Sequence, residues 1–298
     1  MAWHGSGGGA SRRRASADDE FALLPVASLP SAERGVFSQF RFFNALQSRV
    51  LPTLRGSDDN LVLQAPTGSG KTVAFELAIL RMLEQRAAAR RAPAGSAPAQ
   101  HAMRDAKALY IAPLKSLVQE KLRDWRERLG RTMGVRVHEL TGDTDEAGCA
   151  TALADADVLL CTAEKLDATS RAPWHLSRSG GSSGMSFYGE VGLLLIDEVH
   201  SVGEDRGATL EAVVSRLRML SCFPELRGAP IARLRVVAVS ATIPNLRDVG
   251  DWLGCGAERG VVSFGEEYRP VQLQRVVLGY KDMRSNDFMV RARPIMPR

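Results

Sequence analysis

The sequence predicts an α/β fold in which a mostly parallel sheet is sandwiched by helices. Three observations carry this expectation. Short apolar runs alternate with amphipathic segments along most of the 298 residues, the pattern of a doubly wound sheet. Several runs, such as Val191–Asp197, have no polar face, which asks for burial on both sides and so for parallel strands covered by helices. Residues able to do chemistry fall just after the runs, and open α/β sheets bind ligands beyond the carboxyl ends of their strands.

In chain order the expected strands are Asn60–Ala65, Ala108–Ala112, Val135–Leu140, Asp157–Thr162, Val191–Asp197, Arg235–Ser240 and Val261–Phe264. The expected helices, from their amphipathic spacing, are Lys71–Gln85, Leu114–Leu129, Thr209–Leu220 and Leu246–Leu253. Residues 1–22 read as a disordered tail rich in Gly, Ser and Ala. In it Arg12–Arg14 precede Asp18, Asp19 and Glu20, and the apolar core of a secretory signal is lacking. Residues 86–106 and 177–187 read as loop insertions, biased in composition and placed just before apolar strands. Residues 23–280 are then one domain, and 281–298 an unassigned tail.

Composition narrows the class. With 45% hydrophobic and 24% charged residues, the chain can bury a substantial core without staples and is not disordered throughout. The longest apolar run, Val191–Ile196, is interrupted by Gly192 and falls far short of the roughly 20 residues a membrane helix needs. The four cysteines form no Cys-x-x-Cys pair, which fits reduced, buried thiols better than a disulfide framework or a zinc site. The net charge is +5, and 33 of the 39 basic residues are arginine, a bias that suits phosphate-bearing partners.

The chemistry begins at Ala65-Pro66-Thr67-Gly68-Ser69-Gly70-Lys71-Thr72, between an expected strand and an expected helix. That setting and spacing make a phosphate-binding loop. Glycines let backbone N–H groups turn inward around phosphate oxygens, and the helix N-terminus adds partial positive charge. Lys71 can reach the β- and γ-phosphates, and the Thr72 hydroxyl can hold Mg²⁺. A second cluster ends the Val191 strand: Asp197-Glu198-Val199-His200. Asp197 offers a hard oxygen ligand to Mg²⁺, directly or through water. Glu198 stands next to it, where it can orient and deprotonate an attacking water.

These two clusters, together with Ser240-Ala241-Thr242, resemble the motifs of a DEVH-box helicase of superfamily two. Their order and spacing resemble its first motor half, a RecA-like P-loop NTPase domain. The resemblance implies ATP and Mg²⁺ as cofactors, with Lys71, Asp197, Glu198 and His200 as the catalytic set. It assigns Gln47 to the adenine edge and Ser240, Ala241 and Thr242 to coupling between nucleotide and strand. Ser240 and Thr242 lie at the end of an expected strand, where they could hydrogen-bond back toward His200. Ile111–Leu117, with Pro113, Lys115 and Ser116, resembles the first nucleic-acid motif. Thr141, Gly142 and Asp143 resemble the second, and Thr162, Glu164 and Lys165 the third. Such groups can hold a phosphate backbone without reading sequence. Ala163 departs from the proline usual in the third motif, and Ala65 replaces the usual leading glycine.

Within this superfamily, Phe40–Gln47, Arg206–Glu211, Ser240–Asn245 and Tyr268–Leu273 resemble the DNA-translocating helicases of meiotic crossover formation. That implies a 3′–5′ DNA helicase in the nucleus, with DNA preferred over RNA and no membrane association. Exosome- and spliceosome-type RNA helicases share most of the motifs and form the alternative. The family's motor has a second RecA-like domain, and none is legible in the 56 residues after Thr242. The expectation is a motor fragment that hydrolyses ATP poorly alone, with a non-catalytic ATP-binding module as the remaining possibility. Other P-loop classes fit less well. Ser179-Gly180-Gly181-Ser182 lacks the leucine and glutamine of an ABC signature, and no Asn-Lys-x-Asp guanine-reading motif occurs.

Overall fold

The computed structural model describes residues 22–93, 102–140, 142, 146–171, 186–204, 207–256, 259–269 and 271. Seven strands form one sheet: β1 (Leu61–Gln64), β2 (Lys107–Ala112), β3 (Val137–Leu140), β4 (Val158–Thr162), β5 (Val191–Ile196), β6 (Arg235–Ser240) and β7 (Val261–Ser263). Their order is β3-β4-β2-β5-β6-β1-β7, and every pairing is parallel. All seven expected strands are present, each within two residues of its expected ends.

The central strands are buried on both faces, as their unbroken apolar runs require. Leu193 and Leu195 enter one core while Leu194 and Ile196 enter the other; Leu63 and Val62, or Val237 and Val236, divide in the same way. The first core is completed by α1 (Ala45–Gly56), α2 (Val73–Arg91) and α3 (Lys115–Trp125). The second is completed by α4 (Glu146–Asp155), α5 (Ala163–Arg171), α6 (Ser186–Glu190), α7 (Gly207–Ser221) and α8 (Leu246–Leu253). The glycine inside the β5 run has a packing reason. A Cβ on Gly192 would lie 2.9 Å from Met103 Cε and 3.1 Å from Ala106 Cβ, beside the register shift between Lys107 and Ala108.

Three helical differences from the sequence reading stand out. Helix α2 runs on to Arg91, so residues 86–91 are helix and not loop; residues 94–101 and 172–185, which hold much of the two expected insertions, lie outside the described residues. Helix α3 passes through a π turn at Arg126–Gly130 and a last turn at Arg131–Met133, and ends at Gly134 with φ 68°. Helices α1, α4, α5 and α6 had no counterpart among the expected helices. Cys149, Cys161 and Cys255 are buried free thiols, whereas Cys222, expected inside, is exposed. Among the described residues, no helix is long and apolar enough to cross a membrane.

Because every strand runs the same way, all the carboxyl ends meet one edge. The loops after β1, β2, β4, β5 and β6 there carry the motif residues. The topology thus gathers segments from across the chain without any of them needing to be close in sequence.

Candidate nucleotide site

The phosphate loop is shaped by two glycines and held by α1. Gly68 and Gly70 have φ of 81° and 83°, a left-handed conformation that costs an ordinary L-residue roughly 1–2 kcal/mol. A Cβ on Gly70 would also sit 2.5 Å from Gln47 Nε2. Asn44 caps α1 by accepting from Gln47 N at 2.9 Å, while Gln47 Oε1 accepts from Asn44 N at 3.0 Å. The same two side chains then reach the loop: Asn44 Nδ2 donates to Ser69 O (3.0 Å) and Gln47 Nε2 to Gly70 O (3.2 Å). Gln47 is buried, and both ends of its amide work inside the protein. Its visible task is to brace the loop.

Lys71 is buried and donates to Ala65 O (2.6 Å) and Pro66 O (3.2 Å). Burial pushes its ammonium below the usual lysine value, while Glu198 and Asp197 pull it back up. The cradle and the acidic pair therefore act on one another across the ends of β1 and β5. Ser69 Oγ is fully buried without a hydrogen-bond partner. Thr67 and Gly68 are exposed, and a Cβ on Gly68 would meet nothing within 4 Å. The loop thus has open space beside it, fixed backbone and an unspent hydroxyl, which fits a phosphate-bearing ligand.

On the acidic side Asp197 is held at both oxygens. Oδ2 accepts from the Tyr110 hydroxyl at 2.6 Å and Oδ1 from Glu198 N at 3.0 Å, while Asp197 N donates to Ile111 O at 2.9 Å. Burial, and next Asp197, push the Tyr110 phenol well above its usual value, so it stays a donor. Glu198 has φ 49° and ψ 51°, and its buried Oε2 accepts no hydrogen bond. His200 Nδ1 lies 3.3 Å from that oxygen but accepts from Ala241 N at 3.2 Å. An accepting Nδ1 carries no proton, so the imidazole gives nothing to Glu198 and its proton sits on Nε2. No group of three or more His, Cys, Asp or Glu able to hold a metal occurs among the described residues. Asp197 and Thr72 instead offer the one or two protein oxygens typical of a Mg²⁺ held mainly by substrate phosphates.

The link from β6 differs from expectation. The Ala241 backbone, and not the Ser240 or Thr242 hydroxyl, reaches His200. Ser240 Oγ is buried without a partner and Thr242 is exposed. The physical reason is that Ser240 is the last residue of β6 and fully buried within the sheet, so only the next N–H emerges toward His200. Gln64, not singled out in the sequence, ties the same turn to the phosphate-loop strand. Its Oε1 accepts from Ile243 N (3.0 Å) and its Nε2 donates to Ser263 Oγ (3.1 Å).

A cleft of about 360 Å³ opens beside the acidic pair, lined by Pro113, Leu114, Glu164, Asp197, Glu198 and His200 among others. Lys115 and Ser116 are exposed at the start of α3. Thr162 ends β4, and its Oγ1 accepts from Lys165 N at 3.4 Å. Glu164 lines the cleft together with Asp197, Glu198 and Glu204, a run of negative charge. Gly142 is exposed after β3; Thr141 and Asp143 lie outside the described residues.

The fold and this edge define a P-loop nucleotide-binding domain. The DEAD/DEAH box helicase family model matches residues 44–249, and the chain belongs to that family. More particularly, it is 47% identical over 275 residues to the ATP-dependent DNA helicase MER3 homolog of Oryza sativa subsp. japonica, covering 92% of this chain and 21% of that protein. It is 39% identical over 263 residues to the probable ATP-dependent DNA helicase HFM1 of Mus musculus, covering 87% of this chain and 16% of that protein. The chain thus spans about a fifth of the length of these relatives. Among solved structures, the helicase MrfA bound to DNA matches with a TM-score of 0.57 at 17% identity, over 83% of this chain and 31% of that one. A hypothetical ATP-dependent RNA helicase from Sulfolobus tokodaii matches with a TM-score of 0.53 at 19% identity, over 79% and 57%. Both share the RecA-like fold.

Proposed function

We propose that the chain is the first ATP-binding motor domain of a nuclear, ATP-dependent DNA helicase acting in meiotic recombination and crossover formation. The observation that carries the reading is the meeting of phosphate loop and acidic pair on one sheet edge, close enough for both carboxylates to act on Lys71. The names of the relatives supply the DNA part, and the resemblance of Phe40–Gln47, Arg206–Glu211, Ser240–Asn245 and Tyr268–Leu273 to meiotic crossover helicases supplies the meiotic part.

In this reading the backbone of Ala65–Gly70 surrounds the β-phosphate, and Lys71 leaves the loop carbonyls to meet the β- and γ-phosphates. Thr72 and Asp197 hold Mg²⁺, which when bound neutralises charge on the transferred phosphoryl group. Glu198 takes the proton of the attacking water. Gln47 faces the adenine edge while bracing Gly70. The His200–Ala241 bond ties the turn that follows the acidic pair to the end of β6. Lys115, Ser116, Thr162 and Lys165 hold a DNA backbone along the same edge. Strand separation belongs to the longer protein, in which a second RecA-like domain completes the ATP site.

The test is ATP binding with and without Mg²⁺, in the parent chain and in Lys71→Ala. The parent is expected to bind more tightly with Mg²⁺, and the variant to lose most of its affinity. Equal binding by the two would remove the nucleotide site. Competition between matched DNA and RNA strands for the full-length protein decides the substrate.

A further inference from the structure

We propose that Tyr110 is a positioning residue that orients the Asp197 carboxylate toward the metal; this rests on reading Asp197 as a metal holder. Tyr110 is the fourth residue of β2, paired with Leu195 of β5 and Leu160 of β4. It is fully buried, with its ring edge-to-face between Phe75 (5.6 Å) and Trp125 (5.1 Å). Phenylalanine would fill this place without burying a hydroxyl, and a buried hydroxyl is costly unless it is hydrogen-bonded. The hydroxyl has one bond here, to Asp197 Oδ2 at 2.6 Å, short as for a charge-assisted pair.

The bond fixes a group that otherwise has freedom. Asp197 lies just beyond the end of β5, and its other oxygen accepts from Glu198 N. One donor per oxygen sets the plane of the carboxylate and leaves a lone pair on each for a metal or its water. The anchor is itself anchored. Trp125 Nε1 donates to Glu76 Oε1 at 3.2 Å, and Glu76 sits one turn into α2, the helix that opens after Thr72. Arg128 closes on the same carboxylate, with Nη1 to Oε2 at 3.1 Å and Nη2 to Oε1. The two sides of the nucleotide site are thus joined through the aromatic stack beneath them, and Tyr110 is its end next to the metal.

Tyr110→Phe removes one atom and keeps the stack. A fluorescent ATP analogue titrated with Mg²⁺ reads the effect in the full chain, beside thermal melts of each variant. The half-saturating Mg²⁺ concentration is expected to rise about tenfold or more, the usual loss when a metal ligand's outer partner is removed, while affinity in EDTA stays the same. In an Asp197→Ala background the same change is expected to add nothing, because the carboxylate that Tyr110 orients is gone. An unchanged Mg²⁺ titration in Tyr110→Phe would overturn the proposal. So would an equal loss in both backgrounds, which would assign the effect to packing. A parent chain that binds the analogue with no Mg²⁺ dependence would remove the reading of Asp197 as a metal holder, and Tyr110's role with it, while a parent chain that does not bind the analogue at all would remove the nucleotide site.

Discussion

Glu198 is the single described non-glycine residue with positive φ, at 49°. A left-handed conformation costs a residue with a Cβ roughly 1–2 kcal/mol, and strain of this kind is retained where the surroundings require it. Here the same residue keeps Oε2 buried and without a donor. Both costs disappear in Glu198→Gly, which is expected to raise stability by about 1 kcal/mol. For a domain of this size that is roughly 2–4 °C in melting temperature. The same variant is expected to bind ATP and lose hydrolysis. A melting temperature at or below that of the parent would mean that Glu198 is stabilised by contacts stronger than its strain. The strain itself was not legible in Asp197-Glu198-Val199-His200: the motif names the residues, but φ at a strand-to-turn junction is decided by the packing of the turn that follows.

At the scale of elements, the sheet is tied to its covering helices by a few buried charges. Asp157, just before β4, gathers three segments. It accepts from Arg86 Nη1 of α2 at 2.7 Å and from Arg136 N at 2.8 Å, at the entry to β3, with further contacts from the Arg136 guanidinium at 3.2 Å. Burial would raise its pKa, but the Arg136 bonds and then Arg86 hold it below the usual 3.8. A carboxylate with a depressed folded pKa adds stability that is present above its unfolded value and lost as pH falls through its folded one. Denaturant unfolding should therefore show Asp157→Asn about 2 kcal/mol less stable at neutral pH, with the gap closing as pH drops below 3.8. A constant gap across that range would show that the ionised form contributes nothing. Strands of this domain were legible because burial on both faces writes an unbroken apolar run. Helix α1 was hidden by Pro52 within it, although the Asn44–Gln47 capping box marks its start. The Ala-rich α4 turns Cys149, Ala152 and Leu153 to the core, a stripe too small in side-chain size to stand out in the sequence. Tyr110–Asp197 and Arg128–Glu76 join residues 87 and 52 positions apart, and no local pattern encodes such pairings.

Across the whole molecule, charge is divided unevenly along the functional edge. The cleft beside the acidic pair carries Glu164, Asp197, Glu198 and Glu204, while Lys115 opens α3 and Lys165 lies in the first turn of α5. A single strand laid along this edge would be drawn by the lysines and the two helix N-termini and kept off the carboxylates, which separates the nucleic-acid track from the phosphate loop. Binding of this kind displaces counterions and reads no bases, so log K falls with log salt by about 0.7 per phosphate neutralised on single strands. Lys115→Ala and Lys165→Ala are each expected to weaken single-stranded DNA binding to a similar degree for all sequences. Each should cut the salt slope by about 0.7, and the double variant by about 1.4. Fluorescence anisotropy over a range of salt concentrations measures this. A double variant with the parent's slope would take the strand off this edge and leave the nucleotide site without the track its motor reading requires.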